Sequence, residues 1–316
     1  MSDELELLPR MGGIALKNGL ILVSDDYWSV AVRESGGGIS VASGRKARLP
    51  SGRSWRRAGA GGAIAGAGRL AGAKPRPAKL QVADLQGLPM LRGLARFAEQ
   101  LLVLAQVKLR MPQAELPLEG GRVAMALATA YVATETVRAI GPKSTIAQET
   151  GAALASFVPA VLSMRNSSIT GYHGAEHKII AGREAELRSE AAGVAYVPAG
   201  GAASAAAAAP KEHERCGSNL VGPLLFTTVA ANALLRGKGG RMTPAAQALA
   251  GAVSLGAALE ALRWATRHGD SLAARVIMSP GRLVQRTLTT TEPTPDQLEV
   301  AERAMRELLR LEAAGA

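Results

Sequence analysis

The chain has 316 residues, enough for one large domain or two smaller ones. Its apolar share is 47% but only 3% of residues are aromatic, so aliphatic side chains, not rings, must fill most of any core. A net charge of +11 favours anionic partners, and the single cysteine, Cys216, excludes an intrachain disulfide. The opening MSDELELLPR is acidic and lacks the basic-then-apolar order of a secretory signal.

Residues 1–42 are expected to hold a small β unit. GLILVS and YWSVAVR are β-rich runs separated by Asp25-Asp26, and Gly36-Gly37-Gly38 turns the second run into ISVAS. Residues 43–79 are rich in Gly, Ala, Arg and Pro without apolar period, and read as a disordered basic linker. Apart from Trp55 its arginines are not interleaved with aromatics, so no nucleic acid partner is expected. From 88 to 110, Leu91, Leu94, Phe97, Leu101, Leu102 and Leu109 recur at helical spacing. Arg92, Arg96, Glu99 and Lys108 occupy other positions, which predicts an amphipathic helix that packs on a core or lies in a membrane interface.

Four apolar segments follow, at about 123–141, 147–164, 217–235 and 243–262. The third has no charge, and the fourth has none from Met242 through Leu259. The first two are weaker, with Glu135 and Arg138 in one and Glu149 in the other. A spanning helix needs about 20 mostly apolar residues, and the many small residues here let neighbouring helices approach closely in lipid. The expected fold is therefore mostly α: a multi-pass helical membrane domain over 80–316, with a small N-terminal β unit and a C-terminal amphipathic helix. Lys and Arg gather in 165–216 and after the fourth segment, which predicts a plasma (inner) membrane protein with both termini cytoplasmic. Membrane lipids are the expected partners, together with a membrane protein or a second copy of the chain.

Residues 191–210 form a low-complexity insert that reads as a disordered connector. The C-terminal helix is announced by Thr294-Pro295-Asp296-Gln297, with Thr as N-cap, Pro at the first helical position and Gln at the third. Leu298, Ala301, Met305, Leu308 and Leu309 give it an apolar stripe.

The chemistry centres on His173-Gly174-Ala175-Glu176-His177. On a helix, histidines four apart project from one face, a spacing that suits two nitrogen ligands on one ion. The order HxxEH is that of an inverted zinc-peptidase motif, and Glu176 is the candidate general base toward metal-bound water. Zinc wants a third or fourth ligand. His213 is the first candidate, and Cys216 and Glu260 are candidate ligands or orienting groups on the same side of the membrane. Cys216 has an alternative role as a thiol nucleophile activated by His213.

PMLRGL at 89–94, GYHGAEHKII at 171–180, HERCGSNL at 213–220 and LVQRTLTTTEPTPDQLEVA at 283–301 together resemble the YqhQ-like family of bacterial membrane proteins. That resemblance implies a multi-pass membrane location and a metal-dependent enzyme of unknown substrate, with His173, Glu176, His177, His213, Cys216 and Glu260 at matching positions. The N-terminal segment departs from the family pattern, with Asn18 in place of a Glu and Val23 in place of an Arg. The expected function is a divalent-metal site, most simply zinc, on the cytoplasmic face, serving a metal-dependent hydrolase. The alternative is a non-enzymatic scaffold or regulator whose metal is structural.

Overall fold

A computed structural model describes residues 11–49, 88–117, 121–141, 144–164, 167–191, 206–213, 216–236 and 242–315. Four strands, β1 (Gly12–Ala15), β2 (Gly19–Val23), β3 (Tyr27–Arg33) and β4 (Ile39–Arg45), form one antiparallel sheet in sequential order. Register runs Gly12 opposite Val23, Gly19 opposite Val32 and Tyr27 opposite Arg45. Asp25-Asp26 makes the tight turn between β2 and β3, closed by Ser24 N–H to the Tyr27 carbonyl. Gly37, at φ 86°, supplies the left-handed residue that turns β3 into β4.

Side chains alternate across this sheet, and both faces are covered. Leu20, Leu22 and Ala31 face α4 (Ser168–Ala191) and α8 (Pro295–Gly315), meeting Tyr172, Ala175, Ile179, Val300, Ala304 and Leu308. Ile21, Val23, Trp28, Val30 and Val32 face the other way, onto Val103 and Val107 of α1 (Leu91–Arg110). Two covered faces explain why GLILV reads as an unbroken apolar run instead of an alternation. Ser29, the polar residue among them, is satisfied by donating to the Ala304 carbonyl at 2.8 Å.

The remaining helices form a second region. α2 (Gly121–Ile140) packs on α3 (Thr145–Met164), α3 on α5 (Val221–Arg236), and α5 on α6 (Pro244–Arg267). A short 3-10 turn, Gly217–Leu220, leads into α5. All four expected apolar segments are helices. Two stretches among the described residues, Gly217–Leu235 and Ala245–Arg267, are long and apolar enough to cross a membrane, and only 17% and 22% of them is buried inside the protein. The charges that weaken the other pair are brought together. Glu149, fully buried, accepts from Arg138 Nη2 and from Asn232 Nδ2, each at 2.9 Å, while Arg138 Nη1 also reaches Glu135 at 2.7 Å. α6 is followed by α7 (Leu272–Val284), a π-helical turn at Gln285–Thr289, and α8.

Several expectations need correction. The β unit has a fourth strand, β1, and extends to Arg45, so the supposed linker does not begin at 43. Residues 46–49 are also tied down, with Ala47 N–H on Gln106 and Leu49 N–H on Glu99; the rest of the linker, 50–79, lies outside the described residues. The pentad lies within the 24-residue helix α4, so its two histidines do have the helical spacing expected of them. Of the low-complexity insert, 192–205 lie outside the described residues, whereas Ala206 is buried in the core and the Ala207 carbonyl accepts from Lys178. The C-terminal helix behaves as expected: Thr294 and Gln297 cap each other reciprocally, and its apolar stripe packs on the sheet.

Candidate metal centre

Helix α4 presents His173 and His177 on one face, with ring centroids 4.4 Å apart. The histidines are held there because the helix is pressed between the sheet and the segment that follows the π-helical turn. A Cβ at Gly174 would run into the Thr291 carbonyl oxygen, and one at Gly171 into the side chain of Gln297. The glycines of the GYHG run are thus required by close backbone approach, not by helix formation, which they disfavour. Lys178, buried on the same helix, fastens the arrangement through Glu292 at 2.6 Å and the Ala207 carbonyl at 2.8 Å.

The tautomer of each imidazole follows from its neighbours. His173 Nδ1 lies 2.8 Å from the Thr289 carbonyl, and His177 Nδ1 lies 2.6 Å from the Lys211 carbonyl. A carbonyl only accepts, so both Nδ1 atoms carry a proton, and the tautomer of each ring that could bind a metal is the one with its lone pair on Nε2. Backbone carbonyls in this position are the usual orienting partners of metal-bound histidines. His173 Nε2 is 3.2 Å from Cys216 Sγ. His177 Nε2 is buried and has no hydrogen-bond partner among the described residues. The three ligand atoms of His173, His177 and Cys216 lie within 4.8 Å of one another.

Cys216 is placed by the N-cap of the 3-10 turn. Its Sγ accepts from Ser218 Oγ at 3.1 Å and from Ser218 N–H at 3.5 Å. These two contacts fix the direction in which the sulfur points.

His213 stands at the edge of the cluster. Its ring centroid is 5.8 Å from that of His177, but its Nε2 is 3.5 Å from Glu184 Oε2. Its backbone is gripped by Gln285: the amide donates to Gln285 Oε1 at 3.1 Å and the carbonyl accepts from Gln285 Nε2 at 3.3 Å. The carbonyl also accepts from Asn219 Nδ2. The buried Gln285 therefore acts as a surrogate strand partner, fixing the approach to Cys216.

Glu176 is buried against the sheet. A Cβ on Gly13 of β1 would come within 2.7 Å of its Cγ and Cδ, so only glycine leaves room for the carboxylate. Burial pushes the Glu176 carboxyl above the ordinary range, while the nearby His173 and His213 pull it back down. Glu260 is engaged elsewhere. It accepts from Arg92 Nε at 2.7 Å, from Arg92 Nη2, and from Met90 N–H, thereby docking the start of α1 on α6.

Sequence reasoning ranked His213 ahead of Cys216, and the structure brings Cys216 in more closely. It also missed Thr289, Lys211, Gln285 and Gly13. Three of these act through main chain or backbone space, which leaves no residue-type signal. Gln285 acts through its side chain, but its neighbours Arg286 and Thr287 are polar too, so nothing in the sequence sets it apart.

The site defines a helical protein with an inward-facing His/His/Cys cluster beneath a small sheet. The chain belongs to the family described as a protein of unknown function, DUF1385, whose model matches residues 152–311. That match holds every candidate ligand and ends within α8. No curated protein and no solved structure is similar enough to the chain to count as a match.

Proposed function

We propose that the protein is a multi-pass integral membrane protein of the plasma (inner) membrane, with both termini cytoplasmic, that binds a divalent metal through His173, His177 and Cys216. The observation that carries the metal reading is the buried Nε2 of His177, which has no hydrogen-bond partner among the described residues, and the membrane reading rests on the two long apolar helical stretches. A buried acceptor left without a donor costs about 1–3 kcal/mol, and a cation held by His173, His177 and Cys216 would remove that cost. Nitrogen and sulfur donors together suit zinc.

The proposed activity is metal-assisted hydrolysis. A zinc ion held by His173, His177 and Cys216 would supply a water of lowered pKa and a Lewis acid. His173 and His177 present Nε2 lone pairs with their tautomers fixed by the Thr289 and Lys211 carbonyls. Glu176 is the general base, kept by burial at a higher affinity for protons than an exposed carboxylate. His213, paired with Glu184, stands at the edge of the cluster.

A second reading rests on the 5.8 Å separation of the His177 and His213 rings. If His213 turns from Glu184 to the metal, four protein ligands close the site, which then serves a non-enzymatic scaffold or regulator. Metal content of the His213→Ala variant separates the two. Retention of the metal with exchangeable water supports the hydrolase; loss of the metal supports the scaffold. For topology, a reporter placed after Leu187 reads cytoplasmic, and a periplasmic signal there contradicts the orientation.

A further inference from the structure

α7 divides into three stripes. Ala274, Met278 and Gly281, continued by Gln285, face inward and are buried. Leu272, Val276 and Leu283 point away from the protein, with 75%, 62% and 63% of their surfaces exposed. At 100° per residue, Arg275 and Arg282 fall on the border between these stripes, and Arg286 follows in the π-helical turn, largely exposed, with its Nε 3.9 Å from Glu212 Oε1. Ser271 caps the helix by accepting from Ala274 N–H at 3.2 Å, so it begins cleanly after the turn that ends α6.

The inward face sits directly under the candidate centre. A Cβ on Gly281 would strike Asn219 and the Ser218 carbonyl, and one on Gly222 would strike the Ile277 carbonyl. α7 is therefore seated against the turn that begins at Cys216. Its last residue leads straight into Gln285, which grips His213, and Thr289, which orients His173.

From this arrangement we infer that α7 lies flat on an anionic phospholipid surface, with Leu272, Val276 and Leu283 in the acyl boundary and Arg275, Arg282 and Arg286 at the phosphates. The inference rests on the membrane reading above and adds a lipid-contacting element to it. Two features select lipid as the occupant. α7 follows the apolar helix α6 after a short turn, which leaves it at the level where a span would leave the bilayer. An apolar edge bordered by arginines also matches the order of acyl chain and phosphate in an anionic leaflet. Bilayer contact would then hold the π-helical turn in the position that keeps His173 and His213 in place.

The test uses the full chain with Cys216→Ser, reconstituted in phosphatidylglycerol-containing nanodiscs. A fluorescent label sensitive to polarity is attached at Val276→Cys, at Phe226→Cys on α5, or at Glu312→Cys on α8, in separate proteins. Quenchers are carried at shallow or deep positions of the lipid chains. The inference predicts strong quenching at 276 by shallow quenchers, about twofold or more above deep ones, with 226 favouring deep quenchers and 312 unquenched. Adding Arg275→Gln, Arg282→Gln and Arg286→Gln reduces the shallow quenching at 276 and leaves 226 unchanged. An aqueous, unquenched label at 276 beside a quenched 226 overturns the inference while the membrane reading stands. A label at 276 that is shielded from water yet unquenched by lipid means that protein covers this face, and also overturns it. Deep quenching at 276 makes α7 part of a span and overturns the interfacial placement as well. Absence of quenching at both 276 and 226 removes the membrane reading and the inference together.

Discussion

The sheet, with α4 and α8 on one face and Val103 and Val107 of α1 on the other, buries its large side chains in itself, whereas the α2–α3–α5–α6 region turns them outward. In the first region Trp28, Leu20, Ile21, Leu22 and Leu308 are fully buried. In the second, the fully or nearly buried side chains are small or polar, such as Ala152, Ala258, Ser254 and Glu149, while Met125, Phe226, Leu234 and Leu249 are exposed. The first pattern is what water imposes on a chain. The second is what lipid permits, because small and polar groups at helix contacts then provide the cohesion and outward leucines cost nothing. The candidate centre lies where the regions meet: its histidines come from the first and its cysteine from the cap of the 3-10 turn that leads into α5 in the second.

Substitutions can break this contrast. Trp28→Ala empties the tightest part of the self-buried region and should cost about 3–5 kcal/mol, read as a large fall in thermal midpoint of the purified protein. Glu149→Ala tests the other kind of cohesion. It leaves Arg138 and Asn232 without their buried acceptor, and a loss of about 3 kcal/mol is expected despite the absence of any cavity in an apolar core. Gly174→Ala forces the Thr291 backbone away from α4, at about 1–3 kcal/mol, and should weaken metal binding along with stability.

Smaller effects sharpen the comparison. The Arg310 hydrogen bond, helped by Ser43, holds the Glu307 carboxyl at about 2. A carboxyl lowered on folding stabilises the protein above its unfolded pKa of about 4.3, and that contribution fades as pH falls from there toward 2. Glu307→Gln should therefore lower stability near neutrality by about 1 kcal/mol or less, Arg310 being largely exposed, and the difference from the parent should vanish in acid. Phe226→Ala should fall within about 0.5 kcal/mol, since its ring is 76% exposed on an outward face.

The sequence carried the parts of this organisation that repeat or cap. Four apolar segments, the Thr294–Gln297 cap and the same-face placement of His173 and His177 were readable because helical period and capping chemistry are local. β1 was not, since Gly-Gly-Ile-Ala has little strand propensity and pairs only because Leu20–Val23 offers an edge. Gly13 gains its meaning from Glu176, more than 160 residues away along the chain. Glu260 looked like a ligand candidate because a carboxylate in an apolar helix demands a partner; its partner, Arg92, lies 168 residues earlier and was seen only as part of an amphipathic pattern. The choice between His213 and Cys216 turned on the Glu184 contact and the Ser218 donors, neither of which their spacing of three could specify.

Metal analysis of the detergent-purified parent beside a His173→Ala, His177→Ala double variant tests the centre most directly. With the helical content of both confirmed by circular dichroism, the account predicts about one bound ion per parent chain and a near-complete loss in the variant. Equal metal in the two, or none in a parent purified and reloaded with zinc, would contradict it.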